Sequence, residues 1–302
     1  EPGTLAALQR QAAGAGQSLR DLLLGEELLT PWQVATILEG NLADLMVGDL
    51  RVLDVARVTA FEQWQQVFSP DHGIALLRTL YPRSDTGRLA EYRSGFHAAS
   101  RIQSPHVVAT HAILDLNGTP GVLQEWIASL PGSDWHGFAH HPAVWLRLLE
   151  QTARGLARIH EAGLVHGHLE ESRLLLTRGG RLCITGLGEP RWLVDTAHAE
   201  HLTSTTWGDL QALGRIGGTW LVGAPSLRLR SASSAPLHEV VDALADSEPR
   251  DWASSAEALA HHLAHLRRQL GPDEAPWHRL VALIGERLDA KASANLPKRR
   301  SA

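Results

Sequence analysis

Lysine is almost missing from this chain. Lys291 and Lys298, both near the C-terminus, are the only two in 302 residues. Any mechanism that needs a lysine inside the folded core is therefore closed. Arginine is no substitute at a phosphate-binding position packed for a slim ammonium. Cysteine is as scarce: the single Cys183 excludes an internal disulfide framework and fits a reducing compartment. No apolar run approaches the length of a membrane span, and no signal-peptide pattern is visible. The expected location is cytoplasmic, with no transmembrane segment. A net charge of -5 argues against a nucleic-acid partner, which calls for a basic face. No internal repeat is visible. What is present is a 44% hydrophobic chain, able to bury the core of one large domain or two small ones.

The chain changes character along its length. Residues 1 to 17 are rich in Ala, Gly and Gln and read as loose or weakly helical. Leu19 to Leu29 is apolar at helical spacing. Thr30-Pro31 then reads as an N-cap followed by an N1 proline, with Trp32 to Glu39 helical and Gly40 as the stop. From Leu50 the pattern turns to short strands: Leu50 to Val58, Trp64 to Phe68 and Ile74 to Leu80. Leu89 to Ile102 reads as a helix. Val107 to Leu114 and Val122 to Ile127 read as strands around an Asn117-Gly118 turn. Pro131 to Pro142 reads as a loop carrying His136, His140 and His141. Helices are predicted at Val144 to His160, Asp209 to Val222, Leu237 to Ala245, Ala256 to Leu270 and Trp277 to Leu288. A turn-rich connector spans Ser231 to Pro236. The tail from Lys291 to Ala302 is polar and basic, and reads as disordered.

One stretch organises the rest. The helix ending near His160 stops at Gly163, a C-cap. A polar loop follows, Leu164-Val165-His166-Gly167-His168-Leu169-Glu170-Glu171-Ser172-Arg173. Two apolar strands come next, Leu174 to Thr177 and Arg181 to Thr185, joined at Arg178-Gly179-Gly180. Gly186-Leu187-Gly188 closes the stretch. Helix, polar loop, hairpin and glycine turn, set behind a β-rich half and before a helical half, resemble the bilobal protein kinase fold.

The resemblance implies an α+β, protein-kinase-like fold: a β-rich N-lobe over residues 48-128 and a helical C-lobe over 129-290 with a shortened activation segment. A small helical extension (1-47) precedes them and a basic tail (291-302) follows. Leu29-Thr30-Pro31-Trp32-Gln33 is similar to the segment before the kinase domain of many planctomycete-type bacterial serine/threonine kinases. The chain is thus identified as a degenerate member of that family, a pseudokinase.

Each kinase motif can be read for its physical job. A kinase closes a glycine-rich hairpin over the ATP phosphates, because only glycine lets the amides approach closely. The matching turn, Arg57-Val58-Thr59-Ala60-Phe61-Glu62, has no glycine, and Glu62 would bring negative charge toward phosphate. The phosphate-pairing lysine of the third strand corresponds to Leu77, with Arg78 expected on the opposite face. Its glutamate partner corresponds to Gly95, with Glu91 one turn earlier. Losing both members avoids stranding one buried charge. Gln124 resembles the gatekeeper, and Gln124, Glu125 and Trp126 form a hinge at which a purine could dock through backbone groups. In the catalytic loop His166 matches the structural family histidine. The base position is His168, the following lysine position Glu170, and the metal-binding asparagine Arg173. A cation at a Mg²⁺ ligand position is repulsive. The aspartate that binds the second metal corresponds to Gly186. Between Gly188 and Asp209 there is no Ala-Pro-Glu peptide. Asp209 to Gly214 matches the Asp-x-x-x-x-Gly of the next helix.

The implied function is a catalytically inactive, regulatory or protein-binding scaffold with an unidentified protein partner, no catalytic residues, no metal and weak or absent Mg-ATP binding. Two other readings stay open. One is a nucleotide or small-molecule sensor working in the inter-lobe cleft without Mg²⁺. The other is an atypical phosphotransferase using His168, with Arg173 on an acidic ligand. His261 and His265 stand at i, i+4 on a helix, a spacing able to hold zinc; with 17 histidines present, a chance pairing is the simpler account. Ten tryptophans against two tyrosines include Trp126, Trp135 and Trp145, read first as core packing and only second as a ligand platform.

Overall fold

Thr30 and Pro31 start a helix, as their chemistry predicts. The Thr30 side chain accepts from Gln33 N, and the Gln33 side chain accepts from Thr30 N, a complete capping box. Gln33 Nε2 also donates to Val52 O at 2.7 Å, so the cap ties the helix to the first long strand. The protein is described here from a computed structural model covering residues 2–81, 85–135, 137, 141–194, 204–224, 227, 234–246, 249–271 and 273–294. His136, His140, Lys298, Arg299 and Arg300 lie outside the described residues, as do 195–203 of the shortened segment and 231–233 of the connector.

Three helices come first: α1 (Pro2–Gly14), α2 (Leu19–Gly25) and α3 (Pro31–Leu38). The strands β1 (Met46–Val47), β2 (Leu50–Val58), β3 (Glu62–Ser69), β4 (Gly73–Leu80), β5 (Thr110–Leu116) and β6 (Thr119–Glu125) form a sheet in the order β1-β2-β3-β4-β6-β5. Helix α4 (Thr86–Ala99) lies between β4 and β5 in the chain. Asn117 and Gly118 both take positive φ, 56° and 87°, in the predicted hairpin turn.

A second, three-stranded antiparallel sheet pairs β7 (Ser129–Pro131), β8 (Leu174–Thr177) and β9 (Leu182–Ile184) in that order. The remaining helices are α5 (Gly132–Trp135), α6 (Pro142–Glu161), α7 (Thr206–Gly223), α8 (Ala235–Ala245), α9 (Ala256–Gln269) and α10 (Ala275–Ala294). The predicted loop from Pro131 therefore contains the end of β7 and all of α5, and His141 caps α6 by accepting from Ala143 N. Helix α10 runs past the predicted Leu288 into the tail. Lys291 Nζ reaches Asp134 Oδ2 at 2.9 Å from this last turn, and residues 295–302 of the predicted tail lie outside the described residues.

The chain divides into two units, one of residues 1–84, 114–126 and 292–302, the other of 85–113 and 127–291. The core of the second unit is built on α6, whose Trp145, Leu148, Leu149, Leu156 and Ile159 are all fully buried. Each such side chain contributes about 1.5–3 kcal/mol on burial. Trp135 and Trp145 belong to this core. Their indole N–H groups donate to Leu130 O and Gly217 O, so neither is left with a buried, unmet donor.

Candidate functional site

The central loop hangs from one carboxylate. Helix α6 ends at Gly163, whose φ of 73° lets the chain turn away. Asp209, fully buried near the start of α7, then collects three donors. His166 N donates at 2.8 Å, Gly167 N at 2.9 Å and His160 Nε2 at 2.9 Å. Gly167 has a φ of 82°, which only glycine adopts without strain, so that two successive amides can aim at one carboxylate. Burial works against the Asp209 charge. The His160 hydrogen bond, the neighbouring His166 and the two backbone donors outweigh it and hold the carboxyl below its ordinary range.

His166 is buried and donates through Nε2 to Thr185 O at 2.9 Å, tying the loop to the end of β9. Burial, then the adjacent His168, push its pKa down to about 3. It is a neutral positioning group, as the resemblance implies. The His168 ring lies 4.6 Å from it, centroid to centroid.

Four of the sequence-predicted positions meet here. Arg173 Nη1 pairs with Glu189 Oε2 at 2.7 Å, the side chains being 14% and 2% exposed. His168 Nε2 is 3.5 Å from the same carboxylate oxygen. Glu170 lies 3.6 Å from Arg173 Nε. Gly186 closes the group: a Cβ built there would fall 2.7 Å from Arg173 Nη1 and 3.2 Å from His168 Nε2, at a φ of 90°. The φ of 90° favours glycine there, and the guanidinium stands in the space a side chain would take. Glu189 was missed by sequence reasoning. Its only signal is an acid placed just after Gly186-Leu187-Gly188, opposite an arginine at 173.

Gly95 also reaches this loop. A Cβ at Gly95 would lie 2.2 Å from Gly188 O, and one at Gly188 would lie 2.5 Å from Gly95 O. Helix α4 and the glycine turn therefore touch backbone to backbone, and no glutamate fits at position 95 in this arrangement.

The other predicted positions sit in the first unit, each on the main sheet or at its edge. Strand pairing sets Gln124 opposite Leu76, and Leu77 opposite Leu123. Leu77 and Arg78 do face opposite ways, as alternation predicts. The register adds that Arg78, not Leu77, shares its face with Gln124. Arg78 is 1% exposed and pairs there with Glu62 Oε1 at 2.6 Å. Its guanidinium also lies 4.4 Å from the Trp64 ring centre. The Glu62 charge expected to face phosphate is instead met by Arg78. In the β2–β3 turn the Thr59 hydroxyl accepts from Phe61 N at 3.2 Å and Glu62 N at 3.0 Å. These amides bind the chain itself. Glu125 and Trp126 are half-buried.

His261 and His265 are exposed on α9, and His265 contacts Gln269. Among the described residues no group of three or more His, Cys, Asp or Glu side chains is placed to hold a metal ion. Nor is any described helix long and apolar enough to cross a membrane.

The comparisons with known proteins bear on the fold. No family model matches the chain. A protein of Corynebacterium efficiens named "Serine/threonine-protein kinases drp72" is 32% identical over 212 residues, spanning 62% of this chain and 40% of its own. A "Probable serine/threonine-protein kinase pknA2" of Bifidobacterium longum is 25% identical over 253 residues, spanning 67% of this chain and 32% of its own. This chain thus spans well under half the length of both relatives. Among solved structures, the kinase domain of Mycobacterium tuberculosis PknI superposes with a TM-score of 0.58 at 18% identity, covering 73% of this chain and 97% of that one. The fold is that of a protein kinase domain.

Proposed function

We propose that this chain is a kinase-derived domain that does not transfer phosphate and works as a regulatory or protein-binding scaffold. One observation carries the reading. At Gly186, where the resemblance implies a metal-binding aspartate, the Arg173 guanidinium occupies the side-chain space and is bound to Glu189. The cation and its partner have been built into the loop, with their charges met inside the protein.

Mg²⁺ takes oxygen ligands in an octahedral shell. A guanidinium at 173 and a glycine at 186 do not fit that ion. The turn that would cradle phosphate is self-satisfied through Thr59, and Arg78 is paired with Glu62. Kinase catalysis is almost wholly positioning and charge stabilisation by parts of this kind. The buried bonds from Asp209 and His166 hold the scaffold itself.

The test is thermal unfolding with ATP, in Mg²⁺ and in EDTA, run beside transfer of labelled γ-phosphate. The expected result is no Mg²⁺-dependent shift and no incorporation. A ligand present at a hundred times its Kd stabilises by about 2.7 kcal/mol, so a true Mg-ATP site would be plain. An equal shift in EDTA would favour the sensor reading through Gln124, Glu125 and Trp126. Label incorporation lost in His168→Ala would favour the phosphotransferase.

A further inference from the structure

The second unit holds a cavity of about 350 Å³ that the loop site does not use. Its walls come from α6, from the C-terminal end of α9 and from the β8–β9 turn. The side chains lining it include four arginines, Arg147, Arg154, Arg181 and Arg267, and a single carboxylate, Glu150. That volume is at the small end of the ligand-pocket range.

The arginines are held in place. Glu150, its side chain 7% exposed, is clamped between two of them. Its Oε1 accepts from Arg154 Nη2 at 2.8 Å and its Oε2 from Arg267 Nε at 2.9 Å. Arg147 pairs with Glu274 and lies 4.4 Å over the Trp277 ring. These pairings fix the guanidiniums while leaving Arg154 Nη1, Arg147 Nη2 and Arg267 Nη2 with no acceptor among the described residues. The wall is fixed as well. Gln151 donates to Gly180 O at 3.2 Å and accepts from Leu182 N at 2.9 Å, stapling the turn to α6. Converging, pre-ordered guanidinium N–H groups suit tetrahedral oxyanions, which accept several charge-assisted hydrogen bonds at once.

The geometry points to a binding site for a phosphate monoester, free or carried on a peptide, in this arginine-lined cavity. The inference is independent of the kinase-derived loop. It stands whether or not the loop is catalytically silent.

The probes are inorganic phosphate and a phosphoserine peptide, titrated into the whole chain at constant ionic strength with chloride as the balancing salt. Thermal unfolding and isothermal calorimetry give the readout. Saturable binding is expected. Arg154→Gln, at a half-exposed side chain and with Arg267 still paired to Glu150, raises the half-saturating concentration about tenfold, the loss of one charge-assisted hydrogen bond. Arg147→Gln acts in the same direction. Tighter binding of the peptide assigns the site to a phosphorylated protein segment, and equal or weaker binding to a small phosphate. Absence of saturable binding, the same response to chloride alone, or unchanged binding in both variants overturns the proposal.

Discussion

Replace Arg173 by methionine and the cost follows from the geometry. Glu189, its side chain 2% exposed, loses its charged partner at 2.7 Å, while the His168 ring nitrogen stays 3.5 Å away. Stranding one member of a buried pair costs about 3–5 kcal/mol. Arg173 retains 14% exposure, so the lower end, about 3 kcal/mol, is expected here. Glu189→Leu leaves the guanidinium with Glu170 at 3.6 Å and costs a similar amount. The double variant, Arg173→Met with Glu189→Leu, strands neither charge and fills the same volume with apolar atoms. It is expected within about 1 kcal/mol of the parent, since such replacements are often neutral. The assay is urea unfolding followed by tryptophan fluorescence, with thermal midpoints beside it. At roughly 2–4 °C per kcal/mol, each single variant melts about 6–12 °C lower and the double recovers most of the loss. If the two single effects simply add in the double variant, the pair is not the unit described, and the argument for a rebuilt loop fails with it.

Other outcomes follow from the same contacts. His166 is neutral in the fold, with a pKa pushed from 6.5 to about 3. The unfolded chain therefore binds the extra proton first, and stability falls as pH drops from 6.5 toward 3, by up to about 1.4 kcal/mol per unit. In urea titrations His166→Phe should flatten that slope; an unchanged slope would contradict the assignment. The Asp209 carboxyl is shifted the other way from its ordinary 3.8. Its contribution is complete above that value and lost as pH falls through the lower folded value, so Asp209→Asn should be less acid-sensitive below pH 4 although less stable at pH 7. Gly95→Ala drives a Cβ to 2.2 Å from a backbone carbonyl oxygen and should cost about 3 kcal/mol or more, far beyond the gain in helix propensity. Arg78→Ala takes the guanidinium from Glu62, which keeps the Trp64 indole N–H as a donor, and should cost about 3 kcal/mol, the lower end for breaking a buried pair; a loss below 1 kcal/mol in denaturant titration would contradict the buried pairing.

Much of the architecture was legible because its elements carry strong periods. Strands β2 and β8 begin and end at the predicted residues, and Thr30-Pro31 announced α3 through its cap. Strands β1 and β7 were invisible, since two or three residues hold no period to read. The loop positions His168, Arg173 and Gly186 were singled out by the resemblance to kinase motifs, and they do meet. What the resemblance could not give was the interior partner. Glu189 becomes meaningful only once the turn at Gly186 folds it back toward Arg173. The faces of β4 were harder. Alternation separates Leu77 from Arg78 but does not say which one joins Gln124. That is settled by pairing with β3 and β6, and a glutamate at 62 was the only hint that an arginine was to be buried.

The contact between Gly95 and Gly188 also governs the order in which this protein can change. Each glycine is held small by the other's carbonyl, so neither position accepts a larger residue while the turn and α4 keep their present spacing. A glutamate at 95 is closed to any single substitution: the turn would first have to retreat, and that retreat would give up the packing of α4 against Gly188.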